Sequence, residues 1–226
     1  MSLIELNGVT RRYVKGDHAV TPLSEADLSV ERGSFFVLLG PSGSGKTTLL
    51  NLIAGIDRPD EGRIRVAGQD LSLLKGSKLA EWRAATVGYI FQQHHLIPVL
   101  TAYENVELPL HLFKMSSKQR HERVALALAA VGLLDRADHL PRQLSGGQEQ
   151  RVAIARSIVA DPPILVADEP TGDLDRESAG GILTLLQRLV AEFGKTVVMV
   201  THDLEAAARG TRVVRLNKGK LLEDQP

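Results

Sequence analysis

Phe35-Phe36-Val37-Leu38-Leu39-Gly40-Pro41-Ser42-Gly43-Ser44-Gly45-Lys46-Thr47-Thr48 decides the fold of this chain. The first five residues form a short, wholly apolar run suited to a buried parallel strand. The nine that follow satisfy the phosphate-loop pattern G-x-x-x-x-G-K-[ST] at every position. A helix is expected over 47–56, closed by Gly55-Ile56-Asp57-Arg58-Pro59. Strand, glycine-rich loop and helix occur in the order that phosphate binding needs. The glycines let backbone N–H groups wrap the β- and γ-phosphates without a Cβ in the way. Lys46 brings a point charge to those phosphates, and the Thr47 hydroxyl is placed to ligate Mg²⁺. Gly40, Pro41, Ser42, Gly43, Ser44, Gly45, Lys46, Thr47 and Thr48 are therefore expected to bind a nucleoside triphosphate.

A second buried strand, Ile164-Leu165-Val166-Ala167, ends on Asp168-Glu169. Ligands gather at the carboxyl ends of strands in an open α/β sheet. Asp168 suits the Mg²⁺ shell, and Glu169 can accept a proton from, or polarise, an attacking water. A third strand, Thr196-Val197-Val198-Met199-Val200, delivers Thr201-His202-Asp203 to the same edge. His202 is then placed to bond the γ-phosphate or to hold Glu169 and the water in register.

Leu144-Ser145-Gly146-Gly147-Gln148 opens another helix, expected over 148–160, with Val152, Ile154, Ala155, Ile158 and Val159 as its apolar residues. Ser145 and Gln148 read as a capping box. Spending the first turn on two glycines costs about 0.8–1 kcal/mol each against alanine. The bland reading is a helix start with tolerated glycines. The sharper one is that bare amides at a dipole-positive helix end await an anion.

Composition narrows the class. The 226 residues carry 27 Lys+Arg against 27 Asp+Glu, no cysteine, and no basic tract. Zero net charge argues against a role dominated by nucleic acid. The lack of cysteine excludes a disulfide scaffold and fits a reducing compartment. No run approaches the ~20 apolar residues of a membrane helix. Met1-Ser2-Leu3-Ile4-Glu5 has neither a basic nor an apolar region of a signal peptide, so none is expected.

Taken together, these residues resemble the nucleotide-binding subunit of ATP-binding cassette (ABC) transporters, along essentially the whole chain and in the family's order. Gly40–Thr47 matches Walker A. Leu144–Gln148 matches the signature motif letter for letter. Leu165-Val166-Ala167-Asp168 with Glu169 matches Walker B and the catalytic glutamate. Asp175 matches the D-loop aspartate and His202 the switch histidine. Tyr13 stands where the family has an aromatic that stacks on adenine, though a packing role on a strand stays open. Gln92 and Gln93 are adjacent and composition does not choose between them; the resemblance of Phe91-Gln92 to an F-Q pattern favours Gln92 as the glutamine that senses Mg²⁺ and the membrane partner. The D-loop Thr171-Gly172-Asp173-Leu174-Asp175 departs from relatives in carrying Asp173 where a small or neutral residue is common.

The resemblance implies an α/β fold: a P-loop NTPase (RecA-like) core with a mainly parallel sheet, an antiparallel β-subdomain and an α-helical signature subdomain. One cassette would span 1–226, with the helical subdomain near 95–160. The antiparallel patch is expected from strands over 3–13, 26–30 and 62–68. The catalytic residues would be Lys46, Glu169 and His202. The nucleotide-binding set would add Tyr13, Gln92, Ser145, Gly146, Gly147, Gln148 and Asp175 to the loop, with Thr47, Gln92 and Asp168 at Mg²⁺. Ser145, Gly146 and Gly147 would act in trans, covering the γ-phosphate on a second cassette of a homodimer or pseudo-symmetric heterodimer.

The apolar, proline-kinked run His94-His95-Leu96-Ile97-Pro98-Val99-Leu100 is either core packing or a groove for a transmembrane permease subunit on a separate chain. The segment 91–110 and Asp168-Glu169-Pro170-Thr171-Gly172 look like the lipoprotein-release, macrolide-efflux and cell-division branch. A motor at the cytoplasmic face of a bacterial inner membrane is expected, with no regulatory domain after Leu222. A poorly hydrolysing regulatory cassette is the competing reading, disfavoured by the intact Lys46, Glu169, His202 and signature. A soluble ABC protein acting on ribosomes or DNA would carry a second cassette or a coiled-coil insertion.

Overall fold

The computed structural model describes residues 2–15 and 18–223. Met1 lies outside them, as do the last three residues. In chain order the elements are β1 (Ser2–Lys15), β2 (His18–Glu31), β3 (Phe35–Leu39), α1 (Lys46–Ile53), β4 (Glu61–Val66), β5 (Gln69–Asp70), α2 (Ser77–Thr86) and β6 (Val87–Ile90). There follow α3 (Ala102–Glu107), α4 (Ser117–Ala130), α5 (Gly146–Ile158), β7 (Ile164–Asp168), α6 (Arg176–Ala191), β8 (Thr196–Thr201), α7 (Leu204–Ala207), β9 (Arg212–Asn217) and β10 (Lys220–Glu223).

Two sheets form. A six-stranded sheet has the order β10-β9-β3-β8-β7-β6, parallel throughout except for the β10–β9 hairpin. An antiparallel sheet has the order β2-β1-β4-β5. The central strands β3, β8 and β7 are buried on both faces, which is why they read as unbroken apolar runs. Their period of two divides each strand between two cores. Phe35, Val37, Leu165, Ala167, Val197 and Met199 face one, with Val106, Leu110, Val124, Leu128 and Val152 from α3, α4, α5 and the turn after α3. Phe36, Leu38, Ile164, Val166, Val198 and Val200 face the other, with Leu49, Leu50, Leu52 and Ile53 of α1 and the inner face of the antiparallel sheet.

β1 and β4 differ by about two residues from the expected 3–13 and 62–68, and three further elements differ for physical reasons. α1 ends at Ile53 rather than Ile56, because Gly55 turns left-handed (φ 65°) and the amides of Ile56 and Asp57 fold back onto the Asn51 carbonyl. α5 begins at Gly146, so both glycines lie inside its first turn, and it ends at Ile158 rather than Ala160. β2 runs for 14 residues where only 26–30 was expected, and its first half is interrupted by register shifts against β1. Pro22 is tolerated there because β2 is an edge strand.

Candidate active site

Gly40–Thr47 leaves the end of β3 and turns into α1. Two glycines are fixed by neighbouring backbone: a Cβ at Gly40 would stand 2.5 Å from the Leu216 carbonyl oxygen, and one at Gly45 (φ 105°) would strike the Pro22 carbonyl. α1 has no side-chain cap and no acidic residue in its first turn. Its amides are thus free for an anion that the helix dipole favours. The buried Ser44 hydroxyl has no hydrogen-bond partner among the described residues, a group that a phosphate oxygen would satisfy. Lys46, buried, donates from Nζ to the carbonyls of Gly40 (2.8 Å) and Pro41 (3.1 Å).

The parallel order β3-β8-β7 brings three strand ends together. Gly40 N–H donates to the Thr201 carbonyl and Glu169 N–H to that of Val200, which locks the loops after β3 and β7 onto β8. At this edge Lys46 Nζ lies 3.4 Å from Glu169 Oε1, and His202 Nδ1 lies 2.6 Å from Glu169 Oε2. Glu169 itself is left-handed, φ 48°, a strained conformation for a non-glycine residue of the kind that persists at functional sites. The Thr47 hydroxyl sits 3.3 Å from Asp168 Oδ1. Burial raises the Asp168 carboxyl above the ordinary aspartate value and the Glu169 charge pushes the same way, against the Thr47 hydroxyl and Lys46. Lys46, Thr47, Asp168, Glu169 and His202 therefore form one cluster.

Gln92 meets the loop that follows Glu169: its Nε2 donates to Asp173 Oδ1 at 3.1 Å, and a Cβ at Gly172 would crowd the same nitrogen. Gln93 is exposed. Asp173 thus holds the Gln92 side chain. Asp175 is the N-cap of α6, accepting from the amides of Glu177 and Ser178. The Ser178 side chain first, then the Ser178 and Glu177 amides, hold its carboxyl below the usual range.

Tyr13 lies apart from the cluster. Its hydroxyl donates to Asp57 Oδ2 at 2.6 Å, and the Arg11 guanidinium stacks 4.6 Å from its ring centroid. Arg11 is in turn held by Asp57 and Asp60. Burial opposes the Asp57 charge, but the Tyr13 hydroxyl, the Arg58 amide and Arg11 together hold its carboxyl below the usual value. One face of the Tyr13 ring is therefore covered and the side chain is tethered. The sequence reading missed this clamp, although Arg11 two residues before an aromatic on a strand places both on one face.

The signature segment is also separate from the phosphate loop. Ser145 and Gln148 make the capping box in both directions, at 3.3 and 2.9 Å. Ser145 and Gln148 make no hydrogen bond to residues 40–48 among the described residues. Gly147 packs on α6, where a Cβ would stand 2.8 Å from Ser178 Oγ and 3.0 Å from its Cβ, whereas Gly146 is exposed and meets only Leu174 at 3.6 Å. The run His94–Leu100 is partly core and partly surface: Leu96 packs on the core while Ile97 and Val99 are exposed. Its loop is organised by the buried Asn105, which bonds Ile97 twice and the carbonyls of Leu100 and Thr101. His94 Nδ1 meets Glu149 at 3.2 Å.

The family model for ABC transporters matches residues 23–172. The chain is 46% identical over 222 residues to the macrolide export ATP-binding/permease protein MacB of Hyphomonas neptunium, covering 98% of this chain and 34% of that protein. It thus spans about a third of the length of such relatives. It is 43% identical over 222 residues to the lipoprotein-releasing system ATP-binding protein LolD of Chromohalobacter salexigens, covering 98% and 94% of the two chains. A solved dimeric, post-hydrolysis state of the cassette MJ0796 bound to ADP and Pi, a protein of Methanocaldococcus jannaschii, superimposes with a TM-score of 0.89 at 41% identity over 99% of both chains. With a family match over residues 23–172 and relatives more than 40% identical along almost the whole chain, the chain belongs to the ABC transporter family.

Proposed function

We propose that this chain is the ATP-hydrolysing motor of a bacterial ABC complex, closing as a dimer around ATP and transmitting that closure to a transmembrane permease. The observation that carries it is the joining of Lys46, Glu169 and His202 in one hydrogen-bonded and ion-paired group beside the phosphate loop. On ATP binding, Lys46 exchanges its loop carbonyls for β- and γ-phosphate oxygens. Water then attacks the γ-phosphorus, the bond to the β–γ bridging oxygen breaks, and ADP leaves. Glu169 accepts or polarises the water's proton while His202 holds the carboxylate.

Thr47 and Asp168, with the Gln92 amide oxygen, would hold Mg²⁺, an all-oxygen donor set that fits a hard cation. The ion supplies charge neutralisation on the phosphates. Tyr13 is assigned to the adenine by its uncovered ring face. Ser145, Gly146, Gly147 and Gln148 are assigned to the γ-phosphate of a second copy, with Asp175 at the dimer seam. The exposed Ile97 and Val99 are assigned to a permease at the cytoplasmic face of the inner membrane. The relatives' names favour work in lipoprotein release or efflux.

The test is Glu169→Gln. Turnover should fall by roughly 100-fold or more, the range expected when proton transfer is removed, while ATP should now trap a dimer on gel filtration. Unchanged turnover with a monomer in ATP would remove the role assigned to Glu169.

A further inference from the structure

Gln150 is a polar residue on the buried face of α5, with 0% of its surface exposed. It shares that face with Ala153, Ile154 and Ser157, at the spacing of one helical stripe. Its Nε2 donates to the Pro170 carbonyl at 2.7 Å and to the Phe91 carbonyl at 3.1 Å. A flipped amide would set its oxygen against two carbonyl oxygens. Pro170 follows Glu169, and Phe91 precedes Gln92. One side chain thus ties the signature helix to the residue after the candidate catalytic carboxylate and to the residue before the Q-loop glutamine.

The neighbouring row of α5 grips the same segment. Arg156 donates to the carbonyls of His94 and His95, each at 2.7 Å, and Glu149 meets the His94 ring. Glu169 itself is left-handed, held there by its N–H on the Val200 carbonyl and by the Gly172 N–H on its own carbonyl. A left-handed glutamate relaxes to an ordinary conformation unless its surroundings prevent it. The Pro170 carbonyl is the next restraint along the chain, and Gln150 supplies it.

We infer that Gln150 is a positioning residue for hydrolysis: it transmits the placement of the signature helix to the strained loop that carries Glu169. It touches neither nucleotide nor water. The inference rests on the ATPase reading above, and adds that drawing α5 onto a second copy's nucleotide sets the geometry of this copy's own carboxylate. Binding of ATP, which Gln150 does not contact, is left alone.

The experiment measures steady-state ATPase titrations for the wild-type chain, Lys46→Ala, Gln150→Met and Gln150→Asn. Methionine keeps the volume and removes both donors; asparagine keeps the donors and shortens their reach. In Gln150→Met kcat should fall by tenfold or more with KM within twofold. Gln150→Asn should recover part of the loss. The double variant Glu169→Gln, Gln150→Met should still form the ATP-trapped dimer. A folded Gln150→Met with kcat within twofold of wild type overturns the inference. So does loss of the trapped dimer together with kcat, since that marks a merely structural residue. Should the methionine variant not fold, Gln150→Asn carries the same criterion of a fall in kcat without a change in KM. A wild-type chain no more active than Lys46→Ala sinks the ATPase reading itself, and the inference with it.

Discussion

The Asp168 carboxyl titrates above an ordinary aspartate because the end of β7 takes its charged form out of water, with Glu169 adding a second negative charge beside it. The folded chain therefore holds a proton at Asp168 more tightly than the unfolded chain does. The charged side chain costs stability at every pH above the folded value, and that cost disappears as pH falls through it. Asp168→Asn removes the charge and can keep the bond to the Thr47 hydroxyl. The nucleotide-free variant should melt above wild type at pH 8, with the gap narrowing toward pH 4. Turnover with Mg²⁺ and ATP should fall by roughly 100-fold. Thermal melts at several pH values, paired with ATPase assays, check both halves. A lower melting temperature at pH 8 would contradict the burial argument. A cation bound there, as proposed, would offset the cost, the usual relation between a functional site and stability.

At the scale of the element, α5 separates two glycines that the sequence presents as equivalent. Gly147 has an internal reason: α6 lies against it, and an added Cβ must displace Ser178. Overpacking of this kind typically costs about 1–3 kcal/mol. Gly146 has no such reason, being exposed with ordinary contact to Leu174 alone. Gly146→Ala should leave the nucleotide-free chain as stable as wild type or up to about 1 kcal/mol more so, yet weaken the ATP-trapped dimer of the Glu169→Gln background. Gly147→Ala should lower stability without nucleotide at all. Urea denaturation of each variant, followed by gel filtration with ATP, distinguishes them. A Gly146→Ala variant that dimerises normally would return the signature glycines to the bland reading.

The same scale shows what the sequence reveals. The strands β3, β7 and β8 are legible because burial on both faces leaves them uniformly apolar, and the loops at their ends carry the chemistry. The first half of β2 is not legible: register shifts, Pro22 and the left-handed Glu25 break its alternation. The two-residue β5 and the edge strand β6 are too short to show a period. Site residues with motif spacing can be read from sequence, whereas Arg11, Asp57, Asn105 and Gln150 act through contacts that only the fold creates. Gln150 leaves one trace, a polar residue in an apolar helical stripe.

For the whole molecule, the partition into two cores decides how it unfolds. α3, α4 and α5 have no core of their own; Val106, Val124, Leu128 and Val152 pack in the same cluster as Phe35, Leu165 and Val197 of the central sheet. The antiparallel sheet likewise shares its cluster with α1 and the other face of those strands. Melting either layer exposes the sheet, so the nucleotide-free chain should unfold in one transition whose midpoint does not depend on protein concentration. Nucleotide changes this in a way that tests the dimer. Ligand at about 100 times its Kd adds about 2.7 kcal/mol, or roughly 5–10 °C for a chain of this size. If the exposed start of α5 completes the phosphate site of a second copy, unfolding in ATP also separates two chains. In Glu169→Gln with Mg²⁺ and ATP, the melting temperature should then climb as protein concentration rises over about a hundredfold range. Calorimetry on that series checks it. A midpoint raised by ATP but independent of concentration would mean that each chain holds its nucleotide alone, and that the signature helix faces no second phosphate site.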